Sequence, residues 1–146
     1  MKQRVSINIK GIYRADGEET VAELFTDGMM FRRGEHTFIT YHETETTGYD
    51  GCVTTLQIEE NGRVTMTRKG DANSHLVLQR GVRHVGSYSV YGGNMEIGVY
   101  TNDLEYAFSE AGGRLHLTYA LDMNTSLLSE NELFIDVRPA AQAPES

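Results

Sequence analysis

The chain has 146 residues, of which 39% are hydrophobic and 23% charged, and this composition is typical of one soluble globular domain. Its formal net charge of -8 argues against a nucleic-acid partner and against membrane binding, because both surfaces attract clustered lysine and arginine. Cys52 is the only cysteine, which excludes an internal disulfide, and residues 1–14 have the pattern of neither a signal peptide nor a membrane span, so we expect a cytoplasmic protein.

The first third of the chain predicts three strands. Apolar residues occupy every second position from Val5 to Ile9, which is the period of a half-buried strand. Asp16-Gly17 predicts a tight turn, and residues 20–31 predict a second strand in which Gly28 marks a bulge or a bend. A third strand is predicted at residues 37–43, followed by a polar loop over residues 44–51.

The remaining strands are short and separated by turn sequences. Asn61-Gly62 is the strongest hairpin signal in the chain. Leu115 and Leu117 belong to the most regular alternation and are predicted to face inward, and the connection over residues 122–131 is long enough to hold one helical turn. The predicted strands lie at residues 52–59, 64–68, 76–78, 84–90, 95–101, 104–108, 115–121 and 133–137.

Strands that follow one another this closely predict a single all-β domain. Hairpin-length connections favour a meander, and a meander avoids exposed edges by closing into a barrel. We therefore predict an antiparallel calycin-like or lipocalin-like barrel of about 8–10 strands. The barrel is expected over residues 1–138, with a flexible tail at residues 139–146. A β-sandwich is the alternative fold.

Several short motifs of the chain resemble the DUF1934 (YwiB-like) family. In chain order they are Thr67-Arg68-Lys69-Gly70, Ser87-Tyr88-Ser89-Val90-Tyr91-Gly92, Val99-Tyr100-Thr101-Asn102-Asp103-Leu104, Gly113-Arg114-Leu115-His116-Leu117-Thr118-Tyr119 and Asn131-Glu132-Leu133. The resemblance spans nearly the whole chain and implies a calycin-like barrel, a bacterial source and a cytoplasmic location. The family is uncharacterised, so the resemblance implies no activity.

Motifs for metal binding or catalysis are not present in the sequence. None of the five histidines pairs with another histidine, a cysteine or a carboxylate at a zinc-ligand spacing, so we predict no metal and no cofactor. His42 and Glu43 are adjacent and therefore lie on opposite faces of their strand. Cys52 fits a buried, inert thiol. An enzyme is the least supported function, since it needs His42 or His84 beside a carboxylate in a cleft.

Polar residues that continue apolar rows are the candidate ligand-binding residues. Arg68 follows Val64 and Met66 on one face of its strand. Inside a cavity Arg68 would anchor an anionic head group, whereas at the barrel rim it would pair with an aspartate or glutamate. The candidates are Arg68, His84, Tyr88, Thr101, Tyr106 and Tyr119.

The sequence leaves three functions open. The first is binding of a small anionic or apolar ligand in the barrel, which predicts an interior cavity of about 300 Å³ or more. The second is a structural or protein-interaction module with a filled barrel, acting as a monomer or a homodimer. The third is an enzyme.

Overall fold

A computed structural model describes residues 2–44, 50–90 and 93–140, and all regular secondary structure in these ranges is β. This confirms the predicted all-β class. Within the same ranges, no helix has the length and apolar character needed to cross a membrane. The strands are β1 (Lys2–Ala15), β2 (Glu18–Arg33), β3 (His36–His42), β4 (Val53–Ile58), β5 (Arg63–Lys69), β6 (Ala72–Gln79), β7 (Arg83–Val90), β8 (Gly93–Ser109), β9 (Gly112–Met123) and β10 (Ser126–Pro139).

The ten strands form one closed antiparallel barrel in which each strand pairs with the next in the chain. β1 closes the barrel by pairing with β10, from Val5 opposite Pro139 to Arg14 opposite Glu130. This pairing joins the first and last strands of the meander and closes the sheet on itself. The predicted barrel is confirmed, and the sandwich alternative is wrong.

The period-two rows point their apolar residues into the barrel. Leu115 and Leu117 are 2% and 0% exposed, which confirms the predicted inward face. Val64 and Met66, the row that Arg68 continues, are buried as well. Burial of these rows supplies the main favourable term for folding.

Two tight turns share one backbone conformation. Asp16 and Gly17 have φ of 53° and 77°, as a two-residue hairpin turn requires, and the predicted turn is confirmed. Asn124 and Thr125 also have positive φ, 50° and 68°. The connection over residues 122–131, long enough in the sequence for one helical turn, holds none: β9 continues to Met123, and β10 starts at Ser126. Asparagine tolerates the left-handed region, so the turn closes without extra residues.

Gly28 is not the site of a bulge. It pairs in unbroken register with β1 and β3. A Cβ at Gly28 would lie 2.7 Å from Ile7 Cδ1 and would clash with the carbonyl oxygen of Thr40. Glycine is required here because β2 passes close to its neighbours. The register shifts lie elsewhere, between Thr101 and Asp103 and within the start of β10.

The C-terminal boundary of the barrel lies just beyond the predicted residue 138. β10 runs through Pro139, and the amide of Ala140 donates to the carbonyl of Arg4 at 3.1 Å. Residues 141–146, which hold most of the predicted tail, lie outside the described residues, as do residues 45–49 of the predicted polar loop and residues 91–92.

The meander gives the barrel two ends with different connections. We call one the Arg68 end; it carries the connections β1–β2, β3–β4, β5–β6, β7–β8 and β9–β10. We call the other the terminal end, because Lys2 and Pro139 lie there with the remaining connections.

Candidate functional site

A cavity of about 340 Å³ occupies the interior at the Arg68 end. Seven of the ten strands contribute side chains to its wall, so the barrel itself forms the cavity. Arg68 is the charged member among the described lining residues. The lining residues are Tyr13, Met66, Arg68, Ser74, Leu76, Tyr88, Ile97, Tyr119, Leu121, Ser129 and Asn131.

Strand register places five polar side chains at one level of the barrel. Tyr41 of β3 pairs with Thr54 of β4, and Thr54 pairs with Arg68 of β5. Arg68 in turn pairs with Ser74 of β6, which pairs with Tyr88 of β7. Directly opposed residues of antiparallel strands point to the same face. The five therefore form a continuous inward row around half of the barrel.

Glu43 forms an ion pair with Arg68. It lies just after β3, where its amide donates to the carbonyl of Cys52 at 2.8 Å. Arg68 Nη2 lies 3.5 Å from Glu43 Oε1, and the two side chains are 14% and 1% exposed. Thr54 Oγ1 donates to the same Glu43 oxygen at 2.7 Å. Arg68 thus both lines the cavity and pairs with a carboxylate, which combines the two sequence interpretations.

Tyr41, at the same level of the barrel, is buried beside Glu43. Burial, and then the neighbouring charge of Glu43, raise the pKa of the Tyr41 hydroxyl far above its ordinary value, and the charge of Arg68 only partly opposes them. A phenol in this setting stays protonated and acts as a hydrogen-bond donor.

Ser74 presents a polar atom that the described residues leave unpaired. Its side chain is 5% exposed, and its buried Oγ has no hydrogen-bond partner among them. The nearby Asn131 is also 5% exposed, but its Nδ2 donates to Ser129 Oγ at 3.0 Å. A buried hydroxyl without a partner is energetically unfavourable, so the Ser74 wall is a place where a ligand group or a water would be stabilised.

Three of the six candidate residues, Arg68, Tyr88 and Tyr119, meet in the cavity. His84 does not line it; its Nε2 lies 3.2 Å from Gln79 Oε1. Thr101 is fully buried opposite Tyr119 in the β8–β9 ladder but is absent from the cavity wall.

Tyr106 lies at the terminal end, away from the cavity. Its hydroxyl donates to the carbonyl of Glu59 and accepts from the amide of Gly62 at 3.0 Å. These bonds join β8 to the β4–β5 connection across the barrel. Tyr106 therefore closes the terminal end and is absent from the wall of the cavity at the Arg68 end.

Sequence reasoning missed Glu43 and Ser74. A usable signal existed for Glu43, because it follows Ile39 and Tyr41 at intervals of two and so shares their inward face. Ser74 precedes Leu76 and Leu78 in the same way. Both were overlooked because a polar residue at the end of a short strand is ordinarily solvent-exposed.

The described residues hold no metal-ligand cluster, and they separate His42 from the adjacent Glu43. No group of three or more histidine, cysteine, aspartate or glutamate side chains in residues 2–44, 50–90 and 93–140 could hold a metal ion. His42 is exposed while Glu43 is buried, which confirms that they face opposite ways. Cys52 is buried and donates to the carbonyl of Ala72 at 3.6 Å, as an inert thiol would.

Comparison with known proteins identifies the family and the fold. The model of the family described as "Domain of unknown function (DUF1934)" matches residues 7–135. The chain is 23% identical over 121 residues to "Uncharacterized beta-barrel protein YwiB" of Bacillus subtilis (strain 168), covering 82% of this chain and 83% of the relative. The crystal structure of the ywiB protein from Bacillus subtilis superposes with a TM-score of 0.83 at 18% identity, covering 96% of this chain and 94% of that one.

Proposed function

The chain belongs to the DUF1934 family, and from the geometry of its barrel we propose that it binds a small molecule in the cavity at the Arg68 end. The observation that carries the proposal is the cavity of about 340 Å³ walled by Arg68, Ser74 and the tyrosines Tyr88 and Tyr119. Natural ligand sites are concave, mostly apolar and furnished with a few fixed polar groups, and this cavity fits that description at the small end of the size range.

The shape of the barrel supports a lipocalin-like interpretation. Closed antiparallel barrels of about eight strands, such as the lipocalins, can hold one small ligand in the interior. Two kinds of ligand match the wall: an anion anchored by Arg68, and an apolar molecule held by the tyrosines. The proposal places the protein in the cytoplasm of a bacterium, a source that the Bacillus subtilis relative supports.

Native mass spectrometry of the protein purified from its own host tests the proposal. We expect a population heavier than the polypeptide by one small molecule, which is lost on collisional activation. Ser74→Phe should abolish the extra mass, because a ring at this buried position fills the cavity.

Ser87→Phe is the matched control, since Ser87 is exposed on β7 and should leave the bound mass unchanged. A protein that carries no extra mass and binds no small-molecule probe would remove the proposal. An extra mass that persists in a folded Ser74→Phe protein would place the ligand elsewhere.

The alternative function is that of an interaction module assembling as a homodimer, and an exposed apolar stripe on the outer face of β2 favours it. Val21, Phe25 and Met29 are 55%, 71% and 36% exposed. They share their outward face with Glu23 and Asp27.

The neighbouring outer face of β1 carries basic residues that could pair with this stripe in a second copy. Arg4 and Lys10 are exposed there, one strand away from Glu23 and Asp27. A two-fold axis between such faces would bring acidic and basic rows together. Light scattering tests the idea: a dimer that Phe25→Ser converts to a monomer supports it, and a wild-type monomer at all concentrations removes it.

A further inference from the structure

The charge of the cavity wall is already balanced. Arg68 is the charged group among the described lining residues, and Glu43 lies directly behind it with Nη2 and Oε1 3.5 Å apart. The cavity therefore presents the hydrogen-bonding face of an ion pair rather than an isolated cation.

The environment of Glu43 keeps that balance in place. Thr54 Oγ1 donates to Glu43 at 2.7 Å, and only 1% of the glutamate side chain is exposed. An anionic ligand that drew Arg68 toward itself would leave this carboxylate buried without its countercharge. Leaving one partner of a buried pair uncompensated is strongly unfavourable.

Binding of an anion would also add a second negative charge close to Glu43. Arg68 would then serve two anions in a largely buried wall, where like charges repel more strongly than in solvent. Ser74 Oγ has no partner among the described residues, and a hydrogen bond to a neutral group is enough to satisfy it. A neutral hydroxyl, amide or carbonyl group provides that bond without bringing a charge.

Building on the proposed function, we infer that the ligand is an uncharged molecule. It has an apolar or aromatic body packed against Tyr88 and Tyr119, and one neutral polar end directed at Ser74 beside the Arg68–Glu43 pair. The inference selects between the two kinds of ligand that the wall admits, and it assigns Glu43 the role of neutralising Arg68.

The test uses two probes that differ only at one end, 4-phenylbutan-1-ol and 4-phenylbutanoate, at pH 7.5. Their dissociation constants are measured by calorimetry and by saturation-transfer NMR. We expect the wild-type protein to bind the alcohol about tenfold more tightly than the carboxylate, since transfer of an unpaired charge into the wall is unfavourable.

Glu43→Gln exposes the role of the carboxylate. It removes the countercharge of Arg68 and keeps the side-chain shape, so the carboxylate probe should gain about tenfold in affinity while the alcohol changes by less than about threefold. Glu23→Gln is the matched control, because Glu23 is exposed on β2 and both affinities should stay at their wild-type values.

Each outcome decides something. If the wild-type protein prefers the carboxylate, or if Glu43→Gln leaves its affinity unchanged, the inference fails while the ligand-binding function stands. If neither probe binds at about 1 mM, the affinity limit of a weak site, the inference fails, and the native mass of the protein decides the proposed function separately. Should Glu43→Gln not fold, the double variant Glu43→Gln/Arg68→Met removes both charges and must still prefer the alcohol.

Discussion

Removing the buried charge of Glu43 should destabilise the barrel strongly, and removing Arg68 with it should restore much of the loss. The two side chains are 1% and 14% exposed and 3.5 Å apart. At an effective dielectric constant of about 20, unit charges at this distance attract by at most about 5 kcal/mol. Breaking one side of a buried pair typically costs about 3–5 kcal/mol, because the remaining charge is stranded.

The structure places Glu43→Gln near the lower end of that range. The glutamine oxygen still accepts from Thr54 Oγ1, and Arg68 retains a small exposed fraction. We expect a loss of about 3 kcal/mol in the free energy of unfolding, or a melting temperature lower by about 6–12 °C for a chain of this length. Urea unfolding followed by far-UV circular dichroism measures the loss.

A double-mutant cycle isolates the pair. Glu43→Gln, Arg68→Met and their combination should show a coupling of about 2 kcal/mol, with the double variant more stable than the sum of the single losses predicts. Arg63→Met is the control on the same strand: Arg63 is 45% exposed and 3.9 Å from Glu59, and its loss should cost less than about 0.5 kcal/mol. Additive losses at Glu43 and Arg68 would refute the ion pair.

Three further predictions concern titration and packing. The pKa of the Tyr41 hydroxyl is raised in the folded protein, so its contribution to stability is complete below the unfolded pKa of about 10 and is lost above it. In urea melts between about pH 10 and 11.5, the free energy of unfolding of the wild type should therefore fall more steeply than that of Tyr41→Phe. Arg83 hydrogen-bonds Asp122 and lowers the pKa of its carboxyl below the ordinary value of 3.8. The difference in free energy of unfolding between wild type and Arg83→Met should therefore be constant at neutral pH and disappear as the pH falls below 3.8. An NMR titration of the Asp122 carboxyl that does not move to higher pH in the variant would contradict this. Gly28→Ala should lower the free energy of unfolding by about 1–3 kcal/mol in the same assay, because the added Cβ would meet the backbone of Thr40. An unchanged unfolding midpoint would show that β2 can shift away.

The barrel was predictable because short stretches of the sequence determine the face and the order of its strands. Alternation in the sequence assigns each residue to a face, and even the register shift between Thr101 and Asp103 is visible in it: the inward row passes from Val99 and Thr101 to Leu104 and Tyr106, a change of phase. Hairpin turns then order the strands. The connection at Asn124 is shorter than expected because a two-residue turn can be formed by Asn-Thr as well as by sequences that contain glycine.

The site was less predictable because it depends on register between strands. Facing inward does not say how far along the barrel a side chain lies. Tyr88 and Tyr106 both continue apolar rows, yet Tyr88 lies level with Ser74 at the Arg68 end while Tyr106 bonds to Gly62 at the terminal end. Pairings that span 44 residues, as in that last contact, are fixed by closure of the whole barrel.

A filled structural barrel would have little use for the Arg68–Glu43 pair. Replacing a buried ion pair with apolar side chains of similar volume is often neutral or stabilising, so the pair is weak evidence for a purely structural role. In the ligand site proposed above, the pair has another use: beside the Ser74 hydroxyl, which has no partner among the described residues, it supplies fixed hydrogen-bond donors from a wall whose charges cancel. Burial of the apolar rows along the barrel, with Tyr106 closing the terminal end, offsets the energetic cost of such a wall.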